Sequence, residues 1–279
     1  MGAMGGELGS LHRQARRLTA AGAEALDEVV AEEVAVALVY NGVSHAVMMA
    51  TPCDLEDFAR GFSLTERIVE QPSEIYDIEV EEVERSQGGG LGGRGFEVRL
   101  DIASQRMVVL QTRRRSMSGR TGCGLCGVDS LEAALRPVPR STGTGTVSRA
   151  AIQRAMAALP GEQKINRENG ATHAAGWATS DGALIAVRED VGRHNALDKL
   201  GGALAKAGTA TDGGFVVVTS RCSYEMVQKA AALGAVAIAA VSAPTSLAIE
   251  TAEQAGIALV AFVRESRLTV YANPERIEA

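Results

Sequence analysis

Cys123 and Cys126 stand three positions apart in Gly119-Arg120-Thr121-Gly122-Cys123-Gly124-Leu125-Cys126-Gly127, so two of the chain's four cysteines sit among glycines. A free thiol has a pKa of about 8.5, and nearby cations raise the fraction present as nucleophilic thiolate. Arg113, Arg114, Arg115 and Arg120 can supply that charge, and can also attract an acidic partner. The glycines remove side chains, so a large donor or acceptor can reach the sulfur. Four readings are open. A structural zinc needs four ligands, and the chain has no second C-x-x-C and no H-x(3–5)-H. A thioredoxin-like pair opens a helix after a strand, which Gly122, Gly124 and Gly127 disfavour. An inert surface loop is the third reading. A sulfur relay needs only a reachable, activated cysteine, and it is the favoured one.

A second group of residues suits an anion. Arg193, His194 and Asn195 fall in the first turn of an expected helix, and helix N-termini bind phosphate or carboxylate through free N–H groups and the dipole. The plainer alternative is that Asp190 caps this helix and Arg193 pairs with Glu189. Ser220, Arg221 and Ser242 follow expected parallel strands, where they can contact phosphate or ribose or merely cap loops. His173 raises the zinc nucleobase deaminases, which use H-x-E with a later P-C-x-x-C. Here position 175 is Ala and no C-x-x-C follows. Cys53 and Cys222 are lone thiols, expected to be buried and structural.

These residues need a scaffold. Val34 to Tyr40 and Val43 to Met49 flank Asn41-Gly42, a strong hairpin signal because both turn residues tolerate positive φ. Thr51-Pro52-Cys53-Asp54 starts a helix that Thr51 or Asp54 can cap, with an apolar stripe of Leu55, Phe58, Phe62, Ile68 and Val69. Ile75 to Val83 alternates as a strand, Gly88 to Gly93 is a turn, and Phe96 to Leu100 returns. Val147 to Leu159 is an amphipathic helix expected to break at Pro160-Gly161. A second hairpin turns at Asp181-Gly182. Phe215 to Ser220, Ala235 to Val241 and Ile257 to Val263 are apolar strands separated by short helices closed at Gly234 and Gly256. That alternation implies a parallel sheet, and ligands sit beyond the carboxyl ends of such strands. Ser220-Arg221-Cys222, Ser242-Ala243-Pro244 and the turn from Arg264 to Arg267 all fall on that edge.

The fold class is therefore α/β, α+β overall. The expected divisions are a disordered 1–24, a smaller N-terminal α+β domain over 25–112, a mobile C-x-x-C loop over 113–130 and a C-terminal domain over 131–279. The apolar fraction of 46% supports a sizeable core, and the net charge of −6 argues against nucleic acid or an acidic membrane surface as partner. No 18-residue apolar run exists, so no transmembrane helix is expected, and sparse cysteines point to the cytoplasm.

Across most of its length the chain resembles the FdhD family, sulfur carrier proteins required for formate dehydrogenase activity. The resemblance rests on Thr51-Pro52-x-Asp54-Leu55-Glu56, Gly122-Cys123-Gly124-x-Cys126-Gly127, Thr172-His173-Ala174-Ala175, the run from Glu189 to Lys199, and Ser220-Arg221-x-Ser223-Tyr224-Glu225-Met226-Val227-Gln228-Lys229. It implies a cytoplasmic homodimer whose cofactor-binding C-terminal domain is a cytidine-deaminase-like three-layer unit with a mixed, partly parallel sheet. It implies sulfur taken from a cysteine desulfurase as a persulfide on Cys123, with Cys126 as partner. The sulfur is passed to the molybdenum or tungsten of a bis(molybdopterin guanine dinucleotide) cofactor, which binds as substrate before insertion into apo-formate dehydrogenase. The guanine-dinucleotide contacts fall on Phe262, Val263, Arg264, Glu265, Ser266 and Arg267, and a guanine nucleotide such as GDP can occupy the same site. Arg193, His194, Asn195, Ser220, Arg221, Ser242 and His173 complete the expected binding set, with no zinc. A non-catalytic cofactor chaperone, with C-x-x-C as a zinc or redox clasp, is the competing class. Two positions depart from the family pattern: Arg67 stands where Gly is usual, and Cys222 where Ala is common.

Overall fold

The structure, a computed structural model, describes residues 9–85, 93–115 and 138–278. Cys123, Cys126, Arg120 and most of the expected glycine turn at 88–93 lie outside the described residues. The N-terminus differs from expectation. Where disorder was expected up to residue 24, β1 (Ser10–Thr19) and β2 (Gly22–Ala31) form an antiparallel hairpin. A basic strand folds back on an acidic one. Arg17 donates to Glu24 and Glu28, and His12 Nδ1 lies 2.8 Å from Asp27 Oδ2. Its base is anchored as well. Glu32 N donates to Gly9 O, Asn169 Nδ2 donates to Ser10 Oγ, and Arg94 grips Glu32 with two bonds of 2.6 and 2.7 Å. A composition-based reading sees only the Gly, Ala and Arg content and misses this pairing across the turn.

β3 (Val34–Tyr40) and β4 (Val43–Ala50) turn at Asn41-Gly42, with φ of 47° and 78° as a primed turn requires. With β5 (Ile75–Arg85) and β6 (Gly93–Ile102) they form a sheet ordered β4-β3-β6-β5. Leu55, Phe58, Ala59 and Phe62 of α1 (Leu55–Thr65) cover its inner face, together with Met107 and Leu110 of α2 (Ser104–Arg115). α2 also departs from expectation: Arg113, Arg114 and Arg115 end a 12-residue helix instead of opening a loop. Arg is a good helix former, and two apolar side chains of this helix dock on the core. The capping expected of α1 does not occur either. Asp54 is the N-cap residue but its side chain accepts no cap bond, and Thr51 is buried, with its backbone bonded to Asp190 and Lys199. The helix ends at Thr65, so Ile68 and Val69 are buried beyond it.

The second unit begins with β7 (Val147–Ser148), α3 (Arg149–Glu162) and α4 (Lys164–Asn169). α3 runs through Pro160, where a break was expected; Gln163 N donates to Pro160 O and completes the last turn. There follow β8 (His173–Ala178), β9 (Leu184–Asp190), α5 (Arg193–Lys206), β10 (Phe215–Val218), α6 (Tyr224–Ala232), β11 (Ala237–Ala240), α7 (Ser246–Ala255), β12 (Ala258–Ala261), β13 (Thr269–Ala272) and β14 (Ile277–Glu278). The main sheet is ordered β13-β12-β11-β10-β8-β9. β10, β11 and β12 are parallel, and β8, β9 and β13 antiparallel to their neighbours. Alternate residues divide between two cores. Val216, Val218, Ile238 and Leu259 meet α5, α6 and α7, and Val217, Ala239 and Val260 meet α3. The result is a three-layer arrangement with a mixed sheet.

The two units are joined through α1 and α5. A Cβ on Gly61 would lie 1.7 Å from Asp198 O, and one on Gly202 would lie 1.8 Å from Asp57 O, so only glycine fits at this crossing. Among the described residues no helix is long and apolar enough to cross a membrane.

Candidate functional site

β8 runs against β10, so its first residue lies at the carboxyl end of the parallel strands. Ala175 pairs with Val218, and Thr219 N donates to Ala174 O. β9 returns to the same edge, where His173 pairs with Asp190, and the chain enters α5 through Gly192. His173, Arg193, His194, Ser220 and Arg221 therefore come to one edge from three separate stretches. Ser242 and Phe262 follow β11 and β12 on that edge.

The charge at the β8–β10 end is cationic and poorly satisfied. Half-buried His173 has its pKa held below the usual histidine value, first by burial and then by Arg193 and Arg221, whose guanidiniums both act on it. Burial, Arg193 and Lys229 push His194 down to about 3, so its imidazole is neutral at physiological pH. Arg193 Nε, His194 Nε2 and Ser223 Oγ are each sealed from solvent with no hydrogen-bond partner among the described residues. His194 Nε2 does approach Glu225 Oε2 at 3.0 Å, but without hydrogen-bond geometry. Sealed donors without acceptors are costly. Arg221 is exposed and Arg193 partly exposed at this edge, so a ligand that brings acceptor oxygens would meet their charge there, and the residues present fit a phosphate-bearing group.

Neither half of the plainer reading of α5 holds. The N-cap is Gly192, not Asp190. Glu189 accepts from Ile165 N, Asn166 N and Thr172 Oγ1 and is not paired with Arg193. Asp190 instead anchors a buried network. Its carboxylate accepts from Thr51 N, Gly192 N and Asn195 Nδ2, and lies 2.7 Å from Lys199 Nζ with both side chains fully buried. Lys199 also donates to Thr51 O and Glu189 O. A second network lies along α1, α5 and α6. Lys229 donates to Asp198, Glu66 and Thr65 Oγ1, and Thr65 donates to Asp198. Together they fix the start of α5 against the N-terminal unit.

Some expected ligands have other work. The Asn195 amide donates to Met49 O and Asp190 Oδ1. Ser220 is buried and donates to Arg221 O. Val263 is a core residue. Arg264 Nη1 donates to Val241 O and Val263 O, stapling its own loop. The Arg264–Arg267 turn is present, with Arg264 N bonded to Arg267 O at 2.8 Å. Glu265, Ser266 and Arg267 are exposed on it, and Gln153 holds the carbonyls of Arg264 and Glu265. Phe262 has φ of 52° and an exposed ring tilted against Tyr271. β12 stands three strands from β8, so this second cluster is about 14 Å along the edge from the first.

Sequence reasoning missed Glu225, Ser223 and the role of Lys229. Glu225 and Lys229 are four apart in α6, a spacing that puts both on one helix face; that was the available signal. Cys222 is fully buried, and burial pushes its pKa up to about 12. Half-buried Cys53 lies 3.7 Å from Lys199 Nζ, and burial outweighs the lysine to raise its pKa.

This architecture has relatives among known proteins. The FdhD/NarQ family profile matches residues 31–278. The chain belongs to the FdhD/NarQ family. It is 54% identical to the sulfur carrier protein FdhD of Cupriavidus necator over 89% of this chain and 83% of that protein. It is 50% identical to the one from Agrobacterium fabrum over 96% of each. A crystal structure of a candidate formate dehydrogenase accessory protein from Desulfotalea psychrophila superposes with a TM-score of 0.72 at 24% identity, covering 97% of this chain and all of that one. Arg67 is the position where the resemblance leads one to expect Gly. It holds φ of 54° just after α1, a left-handed conformation that glycine adopts without penalty.

Proposed function

We propose that this chain is a sulfur carrier that accepts sulfur on Cys123 and delivers it to a phosphate-rich cofactor at the sheet edge. The observation that carries the reading is the convergence of Arg193, Arg221 and His173 at one edge, beside sealed donors that no protein group satisfies among the described residues. The sulfur chemistry is supported by relatives named sulfur carrier proteins. The Cys123 thiolate attacks the outer sulfur of a cysteine desulfurase persulfide. A new S–S bond forms on Cys123 as the desulfurase S–S bond breaks and its thiolate leaves. Cys126 thiolate then attacks Cys123 and releases the outer sulfur as hydrosulfide, leaving a Cys123–Cys126 disulfide that a cellular dithiol reduces.

The acceptor is a bis(molybdopterin guanine dinucleotide) cofactor carrying molybdenum or tungsten, bound as substrate. Its phosphates lie against Arg193 and Arg221, and a guanine end lies by Phe262 and the Arg264–Arg267 turn, where GDP also binds. The client is apo-formate dehydrogenase, and the protein works in the cytoplasm as a homodimer. Incubation with a cysteine desulfurase and cysteine, followed by peptide mass spectrometry, tests the relay. The expected result is a mass gain of one sulfur atom on the Cys123 peptide. Restoration of formate dehydrogenase activity by Cys123→Ala in a deficient cell would overturn it and leave a non-catalytic cofactor chaperone.

A further inference from the structure

Glu225 lies in the first turn of α6, facing the cationic cluster, and its side chain is only 17% exposed. No hydrogen-bond donor reaches its carboxyl group among the described residues, and the nearest nitrogen, His194 Nε2, is in contact without a hydrogen bond. The groups around it do not compensate. Glu66, just beyond α1, and Asp198 of α5 are like charges. Lys229, one turn further along α6, is turned away to Glu66 and Asp198 at 2.7 and 2.9 Å. Arg193 of α5 is a second nearby cation, and it also faces His173. Glu225 is partly buried, and a partly desolvated carboxylate that no protein donor reaches among the described residues is held more cheaply with its proton on. Burial, followed by Glu66 and Asp198 against the pull of Lys229 and Arg193, raises its pKa above the usual carboxylate range. The partial positive charge at the start of α6 opposes this, but it does not replace the missing donors.

We propose that Glu225 is the proton-holding residue of the anion cluster: an oxyanion enters beside Arg193 and Arg221 only while Glu225 is protonated, so anion binding and proton binding are coupled there. The inference rests on the reading that this edge takes a phosphate-bearing ligand, and it adds a positioning residue that sets the pH range over which the edge accepts one. A neutral carboxyl adds no charge against the incoming anion, whereas a carboxylate repels it. Bound anion in turn favours the protonated form. Both histidines are held below the ordinary histidine value, and any proton uptake by them persists in Glu225→Gln, so that variant separates their part from that of Glu225.

Inorganic sulfate is the probe, because its charge is constant from pH 5 to 8. Its affinity for the full chain is measured by calorimetry at constant ionic strength, with circular dichroism confirming the fold of each variant. Wild-type affinity is expected to fall with rising pH, approaching tenfold per unit once Glu225 ionises. Glu225→Gln is expected to keep the pH 5 affinity up to pH 8. Glu225→Asp, which retains the acid, is expected to keep a slope. A Glu225→Gln profile that parallels wild type, or a flat Glu225→Asp profile, would overturn the coupling while leaving the anion site intact. Sulfate binding that is absent at every pH, or unchanged in Arg221→Ala, would overturn the anion site itself and this proposal with it.

Discussion

Gly61 of α1 and Asp198 of α5 are so close that a methyl group on Gly61 would lie 1.7 Å from the Asp198 carbonyl oxygen. The contact is backbone against backbone, so no side-chain rotation relieves it. Gly61→Ala is expected to destabilise the protein by about 3 kcal/mol, because the steric cost exceeds the roughly 1 kcal/mol gained in helix propensity. Gly202→Ala is expected to behave alike, its Cβ falling 1.8 Å from Asp57 O. Urea unfolding of each variant measures the loss, and a shift within experimental error would show that the helices can part without cost.

The buried network under that crossing gives a second expectation. Burial works against the Lys229 ammonium, but Asp198 and Glu66 outweigh it and raise its pKa. Asp198→Ala leaves the charge short of its main partner and is expected to cost about 3–5 kcal/mol. The double replacement Asp198→Leu with Lys229→Met is expected to recover most of that. A double-mutant cycle with additive losses would mean the two residues do not interact.

Acid sensitivity is the third. His194 is held near 3 in the folded chain, against an ordinary value of 6.5. Above pH 7 both states are neutral and the residue has no pH effect. As pH falls below 6.5 the unfolded chain takes up a proton that the native state refuses, so stability drops until about pH 3. Between pH 7 and 4 wild type is expected to lose roughly 2–3 kcal/mol relative to His194→Gln. Glu225 acts with the opposite sign, since the native state holds its proton, and comparison with the variant isolates the imidazole. Parallel stability–pH curves would refute the buried neutral histidine.

Thiol labelling is the fourth. Because burial pushes Cys222 up to about 12, iodoacetamide at pH 8 is expected to spare it in the folded protein and modify it after denaturation. Peptide mass mapping reads the difference, and rapid labelling of Cys222 in the native state would place it at an accessible surface. The same experiment keeps Cys222 from being mistaken for a sulfur acceptor.

What the sequence determined by itself was local. Asn41-Gly42 forced a hairpin because two adjacent positive φ angles admit few other residues. Gly234 and Gly256 ended helices for the same reason, and the alternation of apolar strands with short helices from Phe215 to Ala261 specified parallel pairing. The edge expected from local pattern therefore already contained Ser220, Arg221 and Ser242, whereas His173, Arg193 and His194 are brought to it by the pairing of β8 with β10 and β9. Tertiary structure alone decided which side chains are available to a ligand. Asn195 and Arg264 are tied to carbonyls and Val263 is in the core, whereas Arg193 and His194 keep sealed nitrogens without partners among the described residues. It also decided that Ser10 to Ala31 pairs with itself, that α1 and α5 meet through glycines, and that Glu225 faces His194 from another helix. The physical reason is range. Dihedral preference and periodicity act over a few residues and are written in the local sequence. Hydrogen-bond satisfaction, desolvation and steric fit depend on neighbours far along the chain, as Asp198 is from Gly61 and Asp190 from Thr51. Only the folded chain brings those neighbours together.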